Sequence, residues 1–319
     1  MKTLGRFLLS SIIVLCAVIA IDFGFGKVLG WMLPQISPRT AVGKTEFALN
    51  EVSTPVVIVG SSRASHHYVA QMVGDSLGLE AYNVGRDGCY LSYNICVINS
   101  ILDRYSPEII IWENSSGSLY AGSDDPLESL YPYYGNNPWV TEVVNSEENG
   151  SVRLCLRSSL YRCNSMIIRV IMRWFGKSDG IDIDKGYDPL VPKKWIVRED
   201  AGQESKCNDL LDSHKVAMLE DIFQKAQTRG VKLIMAESPI YSDSYAGEPS
   251  LSLAETEVEK LAVEYGVRYI DNRGMREFVG HPEYFNDRTH LNRTGAELYT
   301  RLFLEQLKNI LNQNNYEGN

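Results

Sequence analysis

The sequence predicts an α/β fold of three layers, α/β/α, with a five-stranded parallel sheet in the middle and a central insertion. Three observations carry this. Short runs of β-branched and apolar residues recur, bounded by glycine or proline, as in strands buried on both faces. Segments with helical periodicity lie between them. A strand–helix–strand rhythm of this kind calls for crossover connections and a parallel sheet covered on both sides.

Taken in order, Val56–Val59 follows Pro55, stops at Gly60 and is the first strand. Residues 65–77 suit a helix, and residues 81–84 a second strand that ends at Gly85 and Gly88. Leu91–Arg104 suits a helix with Ile95, Ile98, Leu102 and Tyr105 on one face. Pro107 restarts the chain, and residues 109–112 form the third strand. Residues 214–228 are helical, and Gly230 leads into a fourth strand at 231–236. Leu253–Tyr265 is helical, and Gly266 leads into a fifth strand at 267–270. A last helix spans about 294–312.

The stretch from about 119 to 212 breaks this rhythm. It is rich in Tyr, Trp, Ser, Asn and Asp, with one helix expected at 158–175. It is an insertion after the third strand, either capping the functional end of the sheet or lying at its periphery.

Ahead of the fold, residues 7–21 form an uncharged apolar run of 15 residues, preceded by Lys2 and Arg6. A spanning helix usually takes about 20 apolar residues, and basic residues ahead of the run favour a cytoplasmic N-terminus. A cleaved signal peptide lacks a well-spaced small-residue site, and a lipid anchor at Cys16 has bulky Leu15 before it. An uncleaved signal anchor is therefore expected over residues 1–30, with a linker at 31–46 and the folded domain at 47–319. This makes the protein single-pass, with an extracytoplasmic (periplasmic or extracellular) C-terminal domain.

Composition narrows the partners. A net charge of −9 and a pI near 5.2 exclude a nucleic-acid binder that works by phosphate neutralisation. Six cysteines occur without a C-x-x-C pair, against a zinc ribbon. Cys155, Cys163 or Cys207 either join in a disulfide or are small buried side chains. Adjacent His66 and His67 would point about 100° apart on a helix and do not share an ion, so no metal and no cofactor is expected.

Ligands of open α/β sheets bind outside the carboxyl ends of the strands. Those ends carry Gly60-Ser61-Ser62-Arg63, Asn83 to Gly88, Glu113 to Gly117, Glu237-Ser238-Pro239 and, past the fifth strand, Asn286 to Asn292, with Glu113 expected to be structural. A serine on a strand-to-helix turn, a histidine to deprotonate it and a carboxylate to orient the histidine make a nucleophilic triad. Ser62, His290 and Asp287 fill those roles, and the Asp-x-x-His spacing lets the carboxylate reach the imidazole Nδ1–H. Ser61 is the competing nucleophile. Gly88 offers an unobstructed backbone N–H to an oxyanion. Arg63 and Arg86 are candidate contacts for an anionic substrate group, with surface ion pairing as the alternative, and aromatic residues 131–139 are candidates for stacking on sugar.

These residues resemble the blocks of the SGNH/GDSL hydrolase superfamily over about 55–117 and 230–310. Val-Gly-Ser-Ser is similar to the first block, with Ser61 in place of its aspartate and Ser62 in place of its nucleophile. Asn83, Gly85 and Gly88 are similar to the second block, and Asp287 and His290, followed by Leu-Asn-x-x-Gly-Ala, to the last. The resemblance implies a flavodoxin-like fold, an acyl-ester substrate and oxyanion donors at Ser62 and Gly88. The third block departs: Gly117 stands where the family has its oxyanion asparagine, and Asn114, three residues earlier, is the candidate substitute donor if the loop is built differently. This departure resembles extracytoplasmic relatives that acylate or deacylate envelope polymers. The expected function is thus an extracytoplasmic serine esterase, including one acting on O-acyl groups of carbohydrate. An O-acyltransferase on the same triad, a non-catalytic glycan- or partner-binding protein of this fold, and a nucleotide binder are the alternatives. The sequence leaves the oligomeric state open.

Overall fold

The computed structural model describes residues 2–38, 40–114, 116–123, 125–164, 166–175, 185–195, 210–243 and 252–316. Its helices and strands, in chain order, are α1 (Lys2–Met32), α2 (Ala41–Asn50), β1 (Val56–Val59), α3 (Ser62–His67), α4 (Ala70–Leu77), β2 (Ala81–Asn83), α5 (Leu91–Arg104) and β3 (Ile109–Glu113). There follow α6 (Pro138–Glu147), α7 (Gly150–Cys155), α8 (Ser159–Arg162), α9 (Ile167–Trp174), α10 (Ser213–Thr228), β4 (Lys232–Glu237), α11 (Leu253–Tyr265), β5 (Arg268–Asp271) and α12 (Arg293–Tyr316).

The chain divides into two compact units, Met1–Glu46 with Leu127–Asp179, and Phe47–Pro126 with Gly180–Asn319. The second unit holds the sheet. Its five strands run parallel in the order β2-β1-β3-β4-β5, which is the expected three-layer α/β/α fold. Side chains alternate across it, as the two-residue period of a strand requires. Val56, Ile58, Ile109, Ile111, Ile234 and Ala236 pack with Tyr68, just past α3, and with Val73, Tyr299, Phe303 and Leu307 from α4 and α12. The opposite face is covered by α5, α10 and α11.

The helix expected at 65–77 is two helices, because Tyr68 and Val69 are extended. Their backbone groups have partners outside the helical ladder. The Tyr68 carbonyl accepts from Asn83 Nδ2 at 3.1 Å, and Val69 N–H donates to Thr300 Oγ1 at 3.1 Å. The Tyr68 ring is buried and its hydroxyl donates to Glu113. Tertiary bonds have overridden local helix propensity here.

In the other unit, α1 runs on well beyond the 15-residue apolar run. Residues Thr3–Gln35 form the one helical stretch, among the described residues, long and apolar enough to cross a membrane. Asp22 does not end α1, because its carboxylate caps α8: it accepts from Ser159 N–H and Leu160 N–H at 2.9 Å and from the Ser158 hydroxyl at 2.7 Å. The expected helix at 158–175 is interrupted between α8 and α9. Cys163, Met166 and Val170 pack on Leu29, Met32 and Leu33. Cys155 and Cys163 are free thiols, and Cys207 lies outside the described residues.

Candidate active site

The site forms where β1 gives way to α3. Gly60 has φ +150, and a Cβ there would stand 2.8 Å from the Glu113 carbonyl oxygen, so the turn needs glycine. Ser61 is the extended N-cap without a side-chain capping bond, and Ser62 is the first residue of α3. Ser62 is thus free of the capping role that a serine at a helix start often takes. Asn83 pins the neighbouring turn: its amide donates to the Ala64 carbonyl at 2.7 Å, and its Oδ1 accepts Gly85 N–H at 2.9 Å.

Ser62 Oγ lies 2.7 Å from His290 Nε2. His290 Nδ1 lies 2.9 Å from both carboxylate oxygens of Asp287. The three predicted residues therefore meet in one hydrogen-bonded line. Asp287 Oδ1 also accepts the backbone N–H groups of Thr289 and His290, each at 2.9 Å. Partial burial opposes the Asp287 charge, yet the Thr289 N–H and the His290 ring hold its carboxyl below the ordinary range. The ring nitrogen contacts give Asp287 the Nδ1–H and leave Nε2 to accept from Ser62.

A cavity of about 510 Å³ opens on this line. Its wall is Ser61, Ser62, Arg63, Tyr90, Ser116, Gly117, Ser118, Ser123, Glu237, Thr289 and His290. Among the described residues the wall is rich in hydroxyls, from five serines, Thr289 and Tyr90, set among apolar surface.

The remaining predicted residues fall differently. Arg63 reaches the wall with its charge already met: Nε pairs with Glu113 at 2.9 Å, and one terminal nitrogen lies 3.5 Å from Glu237 and donates to the Asn114 carbonyl at 2.7 Å. Burial opposes the guanidinium charge, and Glu113 and Glu237 more than offset this and raise its pKa. Of the two roles expected for Arg63, ion pairing is the one these contacts display, while its side chain also stays in the cavity wall. Arg86 lies over the Tyr93 ring, 5.8 Å from its centroid, and is not in the wall. Asn114 is buried, outside the wall, and its amide donates to Glu237 Oε1 at 3.1 Å. Gly88 sits in the Arg86–Cys89 turn with φ +66, a conformation that favours glycine.

Sequence reasoning missed the buried network beneath the site. Glu113, at the end of β3, accepts from Arg63, Tyr68 and both the N–H and hydroxyl of Ser238. Glu237, at the end of β4, faces Arg63 and Arg273 and accepts from Tyr269 at 3.0 Å. Its pKa is raised by burial, against the pull of the two arginines. The available signal was a glutamate closing each of two adjacent apolar strands.

His66 and His67 separate, as expected, toward different partners. His66 Nδ1 donates to the Asp188 carbonyl at 2.6 Å, and Nε2 lies 3.1 Å from Asp87 Oδ2. With one ring proton on Nδ1, a second proton on Nε2 would be favoured by the facing carboxylate. Burial opposes that charge, but Asp87 outweighs it and raises the His66 pKa. Asp188 completes a group with metal-ligand atoms within 4.8 Å of one another.

No family model matches the chain, and no curated protein matches it. Among solved structures, it is similar to the psychrotrophic esterase EstA from a Pseudoalteromonas species, at 10% identity over 81% of this chain and 98% of that one, with a TM-score of 0.41. It is similar to a lipase/acylhydrolase from Enterococcus faecalis, at 11% identity over 80% and 95%, with a TM-score of 0.38. It is also similar to a GDSL-like lipase from Bacteroides thetaiotaomicron, at 8% identity over 84% and 100%, with a TM-score of 0.36. At this degree of similarity they identify no activity, and the chemistry rests on the chain's own residues.

Proposed function

We propose that the protein is a serine hydrolase of the SGNH/GDSL type that cleaves acyl esters. The observation that carries this is the unbroken line from Ser62 Oγ through the His290 ring to Asp287, with contacts of 2.7 and 2.9 Å. His290 Nε2 takes the Ser62 hydroxyl proton as Oγ attacks the ester carbonyl carbon. Asp287 stabilises the imidazolium. The tetrahedral oxyanion is held by the backbone N–H groups of Ser62 and Gly88. Asn114 is left out of this set, because its side chain serves Glu237. The imidazolium then protonates the leaving alkoxide, and the carbonyl re-forms as an acyl-serine. Water, deprotonated by His290, releases the acid and restores Ser62. A hydroxyl acceptor in place of water gives acyl transfer.

The hydroxyl-rich wall supports a hydroxylated substrate, such as an O-acylated carbohydrate or envelope polymer, over a long aliphatic ester. The length and apolarity of α1, with Lys2 and Arg6 at its start, support a single-pass anchor with the catalytic unit on the extracytoplasmic side.

A fluorophosphonate probe tests the chemistry. Covalent labelling of the wild type is expected, together with hydrolysis of short acyl esters. Ser62→Ala should lose labelling and about 10⁴-fold or more of the hydrolysis rate. A Ser62→Ala protein as active as the wild type would overturn the assignment.

A further inference from the structure

Helix α3 begins with Ser62 and ends with His67. His67 is fully buried, with 0% exposure, and both ring nitrogens are engaged. Leu291 N–H donates to Nε2 at 2.9 Å, and Nδ1 lies 2.7 Å from Ser238 Oγ. The first contact fixes the proton. An amide N–H only donates, so Nε2 presents its lone pair and the ring proton sits on Nδ1. Nδ1–H donates to Ser238 Oγ, and the Ser238 hydroxyl donates to Glu113 Oε1 at 2.8 Å. Glu113 in turn pairs with Arg63, the residue after Ser62. Leu291 is the residue after His290.

We propose that His67 is a positioning residue for His290: by accepting the Leu291 N–H, it sets the reach of the base to the nucleophile at the other end of its own helix. The inference rests on the reading of Ser62 and His290 as nucleophile and base. Asp287 cannot supply this registration. It lies on the same loop as His290, three residues earlier, so it orients the ring within the loop and moves with it. The His67–Leu291 bond runs directly from the nucleophile's helix to the base's neighbour. The second half of the relay, Ser238 to Glu113 to Arg63, returns to the start of α3. Nucleophile and base are thereby tied to one buried frame. Burial keeps the ring neutral, as do the nearby Arg63 and the other two histidines, so the acceptor lone pair persists.

The test compares His67→Phe and His67→Gln in the full chain. Phenylalanine has no acceptor for Leu291 N–H, whereas a glutamine amide oxygen can take it. A misplacement of roughly 1 Å costs on the order of 100-fold in rate. Phosphonylation of Ser62 by the probe should therefore slow about 30- to 100-fold in His67→Phe. His67→Gln should recover to within about tenfold of wild type, as a partly restored geometry allows. Thermal melts report the folded fraction. Equal loss in both variants, or wild-type labelling in His67→Phe, overturns the proposal. Histidine ¹⁵N resonances give a second readout that needs no activity and serves if His67→Phe does not fold. The wild type should show His67 as the neutral Nδ1–H tautomer, and Ser238→Ala should disturb that pattern. An Nε2–H tautomer or an imidazolium at neutral pH overturns the proposal. A wild type that shows the Nδ1–H pattern but takes no probe would overturn the catalytic reading and leave the bonding scheme standing.

Discussion

Two carboxylates accept several hydrogen bonds each, and their settings differ sharply. The Asp287 side chain is 48% exposed and serves one ring. Glu113 is 0% exposed and ties together β3, α3, Tyr68 and Ser238. The first carboxylate is built by short-range spacing, with donors two and three residues away. The second is built by topology, with donors 45 to 125 residues away. The reacting line is thus thin and peripheral, while its support is deep and redundant. Changes at the first should cost rate, and changes at the second should cost stability.

Of changes at the two carboxylates, Asp287→Asn should give the largest effect on rate. It replaces a charge that stabilises the imidazolium, and an amide can hold the wrong tautomer. We expect kcat for ester hydrolysis to fall about 10²- to 10⁴-fold, with little change in melting temperature. A large loss of stability with kcat preserved would invert the comparison. Glu113→Gln should do the opposite and weaken the fold by about 3 kcal/mol. That is the low end for a broken buried ion pair, because Glu237 still faces Arg63. Denaturant titration measures it. Asn114→Ala should lower kcat by less than about tenfold, whereas losing a true oxyanion donor costs about 10²- to 10³-fold.

The smallest test is pH dependence. The folded-state pKa of His67 is pushed well below the ordinary 6.5 by burial, then by Arg63 and the two neighbouring histidines. Its contribution is present above 6.5 and is lost as pH falls below it, because the unfolded ring takes a proton that the native ring refuses. His66 has the opposite sign. Its raised pKa gives a contribution that is full below 6.5 and is lost as pH rises through the folded value. Between pH 7.5 and 5.5, His67→Gln should flatten the fall in unfolding free energy, and His66→Gln should steepen it.

The sheet was legible because its strands are buried on both faces and so appear as unbroken apolar runs between glycines. Val56–Val59 is an example, with every residue at 0% exposure. The meeting of Asp287 with His290 was legible for the same local reason as their bonding, a spacing of three. The break at Tyr68 was not, because the groups that hold it, Asn83 and Thr300, are remote in sequence. Nor was the neutralisation of Arg63, since a strand-terminal glutamate carries no mark of which cation it will meet. The apolar run of 15 residues understated α1, because the partners that satisfy Asp22 lie 136 to 138 residues further on.

If α1 spans a membrane as proposed, that last contact would act as a depth stop. Residues between Lys2 and Asp22 rise about 30 Å at roughly 1.5 Å each, close to the hydrocarbon thickness of a bilayer. In that setting Lys2, and Arg6 with its guanidinium reaching toward the interface, would bound the immersed length at one end. At the other, Asp22 with α8 docked on it forms a shoulder too polar and too wide to follow the helix into lipid. The docked insertion would then limit how far α1 enters lipid, and α8 would lie at the interface.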